Sequence, residues 1–469
     1  MSNVEAFNPD FEYRTHRRQI GVFGDLKLDY KNYVYLGITG RNEWSSTLPI
    51  QNRSYFYPGV NAAFVFTDAF NITSDVFSYG KLRAGYAKTA RDPDPYQVIN
   101  TFVVPNEAIA AGFGDGFVSS DAPLSLPFNG IAGYTASNYI NNPDLKAETT
   151  KEVEVGAELR FFRDRIGLDF TYFSNKNENG IIQADISPAA GATNLVVNSG
   201  LTTVKGIEVG LNLTPIKTSN FNWNAYITFN RIRSKVVDIY PGVQQIYLGG
   251  FTGNPAIFAV KGERYGSIIG TGYSRDENGN ILVDADGFPL FVDGVNLGYI
   301  EPDWTGGIRN SFSYRNFSLD FLLDTRQGGY MYNGTEELLD FYGVSKKTET
   351  REDDYIFPGV DEINKTPNSV VVKRNATWWS FAQGNEEYVY ENSWVRLREA
   401  NLSYNLTLDK SMFIKSLLVG VYGRNLWLKT DVPHVDPESS SFGTGNGQGA
   451  TRMSFPTTRS IGFNIRLTF

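Results

Sequence analysis

Arg459-Ser-Ile-Gly-Phe-Asn-Ile-Arg-Leu-Thr-Phe469 closes the chain, and its alternation sets how the rest is read. Ile461, Phe463, Ile465, Leu467 and Phe469 fall on one face of a strand; Ser460, Gly462, Asn464, Arg466 and Thr468 fall on the other. In a soluble sheet the apolar face meets a core and the polar face meets water. In a membrane barrel the geometry inverts, with apolar side chains in lipid and polar ones in a wet lumen. One strand fits both. Recurrence along the chain distinguishes them.

The alternation recurs. Val153, Val155, Ala157, Leu159 and Phe161 oppose Glu152, Glu154, Glu158 and Arg160; after Arg163-Asp164-Arg165, Ile166, Leu168, Phe170 and Tyr172 oppose Gly167, Asp169 and Thr171. Similar runs begin near Ile20, Val34, Val60, Leu82, Ile207, Phe221, Ile308, Phe317, Val395 and Leu417. The run from Val395 changes phase, odd positions giving way to even ones, so a β-bulge is expected between Glu399 and Asn401. That makes about thirteen strands, most near the ~10 residues that cross a bilayer when tilted. Turns near Lys31, Asp164, Thr218, Arg315 and Asp409 are expected at one rim, and long loops around Gly130, Gly270 and Glu352 at the other, in strict alternation. The inferred inner face carries Glu154, Glu158, Asp169, Glu208, Asp320 and Asp324, which suits water better than a soluble core.

Composition agrees. The 469 residues are 41% hydrophobic and 14% aromatic, which suits spans that are only half apolar. No stretch approaches the ~18 consecutive apolar residues of a membrane helix. The chain has no cysteine, which excludes disulfides, zinc–thiolate sites and catalytic thiols. A net charge of −8 without a basic run argues against a nucleic-acid partner. Met1-Ser-Asn-Val-Glu-Ala-Phe-Asn-Pro9 has neither the basic nor the apolar region of a signal peptide, so the barrel reading expects a truncated chain.

Several stretches carry a family resemblance: Leu82-Arg-Ala-Gly-Tyr-Ala-Lys-Thr89, Asn142-Pro-Asp-Leu-Lys-Ala-Glu-Thr149, Gly206-Ile-Glu-Val-Gly210, Trp394-Val-Arg-Leu-Arg-Glu-Ala-Asn-Leu-Ser-Tyr-Asn-Leu406, Gly423-Arg-Asn-Leu-Trp427 and Phe455-Pro-Thr-Thr-Arg-Ser460. In series they resemble the C-terminal barrel part of SusC/RagA-type TonB-dependent outer-membrane transporters. The resemblance implies an all-β antiparallel transmembrane barrel of twenty-two strands, with residues 1–469 forming the C-terminal part of that one domain. It implies that the signal peptide, plug domain and N-terminal strands are absent. It also implies a Gram-negative outer membrane, and uptake of oligosaccharides or oligopeptides driven by TonB through the missing N-terminal part. The implied partners are a SusD-like surface lipoprotein, the TonB complex and outer-membrane lipid. Ile461, Phe463, Ile465, Leu467 and Phe469 are similar to the C-terminal signal by which such barrels are recognised for insertion. A passive porin and a soluble carbohydrate-binding β protein remain alternatives.

Candidate sites are few. Trp378, Trp379 and Tyr388 lie in a long loop, where flat aromatic faces could stack on sugar rings or peptide side chains; packing within the loop or contact with the lid is the alternative. His434, in Asp431-Val-Pro-His-Val-Asp-Pro-Glu438, is a poor metal-ligand set and reads as loop structure. Asp276-Glu-Asn-Gly-Asn280 and Asp284-Ala-Asp-Gly287 lack the spacing of an EF-hand and suit hairpin turns. No nucleophile elbow or phosphate loop appears, so neither enzymatic activity nor a cofactor is expected.

Overall fold

The structure is a computed structural model that describes residues 14–103, 135–251, 255–408, 413–443 and 445–469. Thirteen strands follow one another in a single antiparallel path: β1 (Gln19–Tyr30), β2 (Val34–Ser45), β3 (Ser54–Val65), β4 (Phe77–Arg91), β5 (Glu148–Phe161), β6 (Ile166–Asp185), β7 (Asn194–Lys217), β8 (Phe221–Asp238), β9 (Trp304–Tyr314), β10 (Phe317–Gln327), β11 (Trp394–Thr407), β12 (Ser416–Thr430) and β13 (Ser460–Thr468). Among the described residues no pairing joins β1 to β13.

Turn chemistry holds the register. Lys31 and Asn32 adopt φ of 52° and 58°, the left-handed pair of a tight hairpin, and β1 matches β2 residue for residue from Tyr30↔Val34 to Gln19↔Ser45. Turns at Lys31, Asp164, Thr218 and Arg315 therefore share one rim. The expected turn at Asp409 and loop around Gly130 lie outside the described residues. The β3–β4 turn holds a short helix, Phe66–Ala69.

The strict alternation of short turns and long loops does not hold. On the loop rim, residues 46–53 and 186–193 are eight-residue links, shorter than residues 66–76 on the turn rim. The second of these connects two unusually long strands. β6 has 20 residues and β7 has 24, so both extend well past the alternating runs that end at Tyr172 and begin at Ile207. Their upper halves pair well beyond the ~25 Å apolar band of such barrels. The long loops are also folded. Gln245–Gly250, Ala256–Val260, Tyr265–Tyr273 and Phe291–Tyr299 form a four-stranded sheet that includes Gly270.

The two faces differ as a membrane demands. Val22 (63%), Val153 (52%) and Phe463 (76%) stand open on the outer face, as lipid-facing residues of a barrel do. On the opposite face Arg83 bridges to Asp169 at 2.7 Å and Lys81 to Glu158 at 3.1 Å across β4, β5 and β6. Conventional cores lie in the loops instead, one around Leu48, Leu145, Ala147 and Val196 and another around Val236, Ile239 and Ala259.

The expected bulge is present one residue earlier than its sequence position. Leu323 pairs with Leu397 and Leu322 with Glu399, leaving Arg398 as the extra residue of β11. β12 answers with a shift of its own, since Leu397 pairs with Trp427 and Glu399 with Arg424. Asn425 within that shift has φ 51°. The alternation that begins at Leu417 therefore breaks down towards Trp427.

Candidate transport face and its loop cap

The inner face near the loop rim is built around the bulge. Arg396 points inward from β11, and Arg398 adds a second inward guanidinium beside it. Asp436, in the loop joining β12 to β13, accepts from Arg396 Nη2 at 2.5 Å and from the Thr457 hydroxyl. Arg396 Nη1 also donates to Thr457 Oγ1 at 2.7 Å. Arg398 grips Glu438 at 2.7 Å and Asp324 of β10 at 2.7 Å. Arg396 is 2% exposed and Asp436 6%, so this is a buried ion pair fastening the loop to the wall. Asp436 and Glu438 are thus committed to arginines, which accounts for the His434 stretch as loop structure. Sequence reading missed this latch; its one visible signal was two arginines just before the phase slip.

Beside the latch opens a cavity of about 1320 Å³ on the lumen side of β5–β8. Its wall mixes carboxamides (Gln97, Gln183, Gln245, Gln448) with aliphatic Ile181, Val236 and Ile246, and carries Arg91 and Asp94. Ser199, 7% exposed, lines it with a hydroxyl that has no hydrogen-bond partner among the described residues. Such a surface offers amide-type hydrogen bonds next to apolar patches.

Trp378, Trp379 and Tyr388 are buried, at 2%, 7% and 1% exposure. The first two sit on the helix Ala376–Phe381, whose start is capped by Asn375 Oδ1 accepting from the Thr377 amide at 3.0 Å. Trp378 packs against Phe288, Tyr355 and Phe357 with ring centroids 5.5, 5.4 and 5.7 Å away. Tyr388 belongs to a separate cluster with Tyr332 and Ala450, and its hydroxyl donates to Asp340 Oδ2 at 3.2 Å. The three are therefore not one site, and their burial supports loop packing rather than an open stacking platform. Trp378→Ala should cost about 3–5 kcal/mol of local order. The check is hydrogen exchange across residues 328–393, which should accelerate while barrel assembly is unchanged. A stacking role would instead lower ligand affinity with exchange unaltered.

Beneath Tyr388, Lys347 Nζ lies 2.5 Å from Glu336 and 3.8 Å from both Asp340 and Glu387. Burial pushes the Asp340 and Glu387 carboxyls above their ordinary values, against the pull of Lys347. Asp276 and Asp284 each turn their own backbone: Asp276 Oδ1 accepts from the Asn278 and Asn280 amides, and Asp284 Oδ1 from those of Asp286 and Phe288, all at 2.9 Å. Gly279 and Gly287 take the left-handed positions of these turns, at φ 83° and 81°. The hairpin-turn reading accounts for both stretches, and among the described residues no carboxylate–histidine group is placed to hold a metal.

Comparison with known proteins agrees with this architecture. TonB-dependent receptor P26 of Formosa agariphila is 27% identical over 494 aligned residues, covering 95% of this chain and 46% of that protein. TonB-dependent receptor SusC of Bacteroides thetaiotaomicron is 23% identical, covering 68% of this chain and 32% of SusC. The solved structure of the RagAB peptide transporter superposes with a TM-score of 0.71 at 19% identity, over 97% of this chain and 48% of that one. The chain spans about half the length of the curated relatives it matches. Residues 2–426 match the TonB dependent receptor-like, beta-barrel family, and the chain belongs to that family.

Proposed function

We propose that this chain forms part of the wall and mouth of an outer-membrane transporter that imports oligosaccharides or oligopeptides under TonB drive. A SusD-like lipoprotein would close the mouth from outside. The observation that carries the reading is the thirteen-strand sheet with an exposed apolar face and an ion-paired polar face. The likeness to a peptide transporter supports oligopeptides as one of the two substrate classes. Further strands of the same barrel would complete the edges at β1 and β13, because unpaired amides and carbonyls in hydrocarbon cost several kcal/mol each. In this reading the residues gathered at the mouth bind and guide the substrate, as befits a chain of a transport family.

The test reconstitutes the full-length barrel carrying this chain in liposomes and measures uptake of labelled oligosaccharides and peptides. Saturable uptake of one class, dependent on TonB and an energised membrane, is expected. Unsaturable leakage of both classes without TonB would overturn this reading in favour of a passive porin.

A further inference from the structure

Sequence shows no basic run, yet strand pairing assembles one. Lys88 of β4 pairs with Lys151 of β5, Lys151 with Lys176 of β6, Lys176 with Thr203 of β7, and Thr203 with Lys235 of β8. At ~4.8 Å between strands this line runs about 19 Å around the wall. Directly paired residues share a face, and this is the outer one: two residues along lie Tyr86 and Val153, both exposed at 41% and 52%. Lys205 and Arg231 extend the group downward on β7 and β8. Each of five adjacent strands thus ends its outward apolar run with a base, at the upper edge of the lipid-facing band. On other strands the outward positions near that rim carry Asn42, Phe56 and Thr325, with Lys429 of β12 a single base apart from the row.

The charge is not cancelled. Glu178 is taken by Lys151 at 2.6 Å and Asp238 by Lys261 at 2.7 Å. Lys88, Lys176, Lys205, Lys235 and Arg231 have no ion pair among the described residues. Like charges on directly paired positions repel, so a row kept this way calls for an anion. Apolar Val153, Val155 and Tyr172 lie exposed just below, a bed for acyl chains.

We propose that this row binds the phosphate of a phosphorylated, multiply acylated lipid of the outer leaflet, its chains lying over the Val153–Tyr172 surface. The site rests on the membrane placement proposed above, with the loop rim facing outward. The test uses the detergent-purified full-length barrel, with lipid A, dephosphorylated lipid A and inorganic phosphate as probes and native mass spectrometry as readout. Retention of lipid A is expected, falling at least about tenfold when Lys88, Lys176, Lys205, Lys235 and Arg231 are all replaced by Gln. Replacing the four lysines by Arg should preserve it. Equal retention of the dephosphorylated lipid, or an undiminished Gln variant, would overturn the proposal. Inorganic phosphate binding as tightly as lipid A would also overturn it, by marking a site for a free anion. Heat-modifiable electrophoretic mobility reports barrel formation separately, so loss of the fold cannot pass for loss of the lipid.

Discussion

Deletion of Ser460–Phe469 from the full-length polypeptide is expected to abolish barrel assembly, not merely slow transport. β13 pairs with β12 from Ser416↔Thr468 to Arg424↔Ser460. Without it the outer half of that ladder is left open in lipid, at several kcal/mol for each unpaired backbone group. The total exceeds the 5–15 kcal/mol that an ordinary fold has in reserve. A milder version separates pairing from surface chemistry. Phe463→Arg keeps every backbone bond but sets a charge at an outward position that is 76% exposed, which should cost about 2–4 kcal/mol near the bilayer midplane. Heat-modifiable mobility in membrane fractions measures both variants. Normal levels of folded barrel after the deletion would refute the assembly role given to Ile461, Phe463, Ile465, Leu467 and Phe469.

Breaking the latch should have the next largest effect. Arg396→Ala leaves Asp436 buried with the Thr457 hydroxyl but without its cation, and orphaning one member of a buried pair costs about 3–5 kcal/mol. The loop 431–459 should detach and exchange its amides rapidly while the barrel stays folded. Acid should do the same to the native protein. Burial alone would raise the Asp436 carboxyl, but the Arg396 and Thr457 hydrogen bonds outweigh it and hold the group below its ordinary 3.8. The stabilisation is therefore complete above that value and is lost as pH falls through the lower value of the folded state. Protection of residues 431–439 should be flat from neutrality down to about pH 4 and collapse below it. Loss of protection already near pH 6 would refute the assignment.

What was legible beforehand follows the membrane. Inside the lipid band each strand must alternate, so strand positions, phase and the slip in β11 could be read from single residues such as Val153 and Glu154. Above the band both faces are wet. Asn175, Lys176, Asn177 and Glu178 are all polar, the period of two vanishes, and the upper halves of β6 and β7 passed for loop. Trp378 was visible as an aromatic but not as a buried one, because its neighbours are set by the loop's fold, Phe288 coming from another loop and Tyr355 and Phe357 from earlier in its own. The basic row was invisible for a similar reason. Lys88 and Lys151 are brought side by side only by the β4–β5 register.

The bulge at Arg398 bears on how such a wall can change over generations. A regular strand gives the lumen every second residue, and any extra inward charge must replace something. With one residue inserted, Arg396, Arg398 and Glu399 are inward while Leu397 and Ala400 keep their places outside. An insertion of this kind adds binding chemistry to the channel and leaves the lipid-facing sequence untouched. Diversification of the pore lining is thereby uncoupled from the constraint that keeps the protein in its membrane.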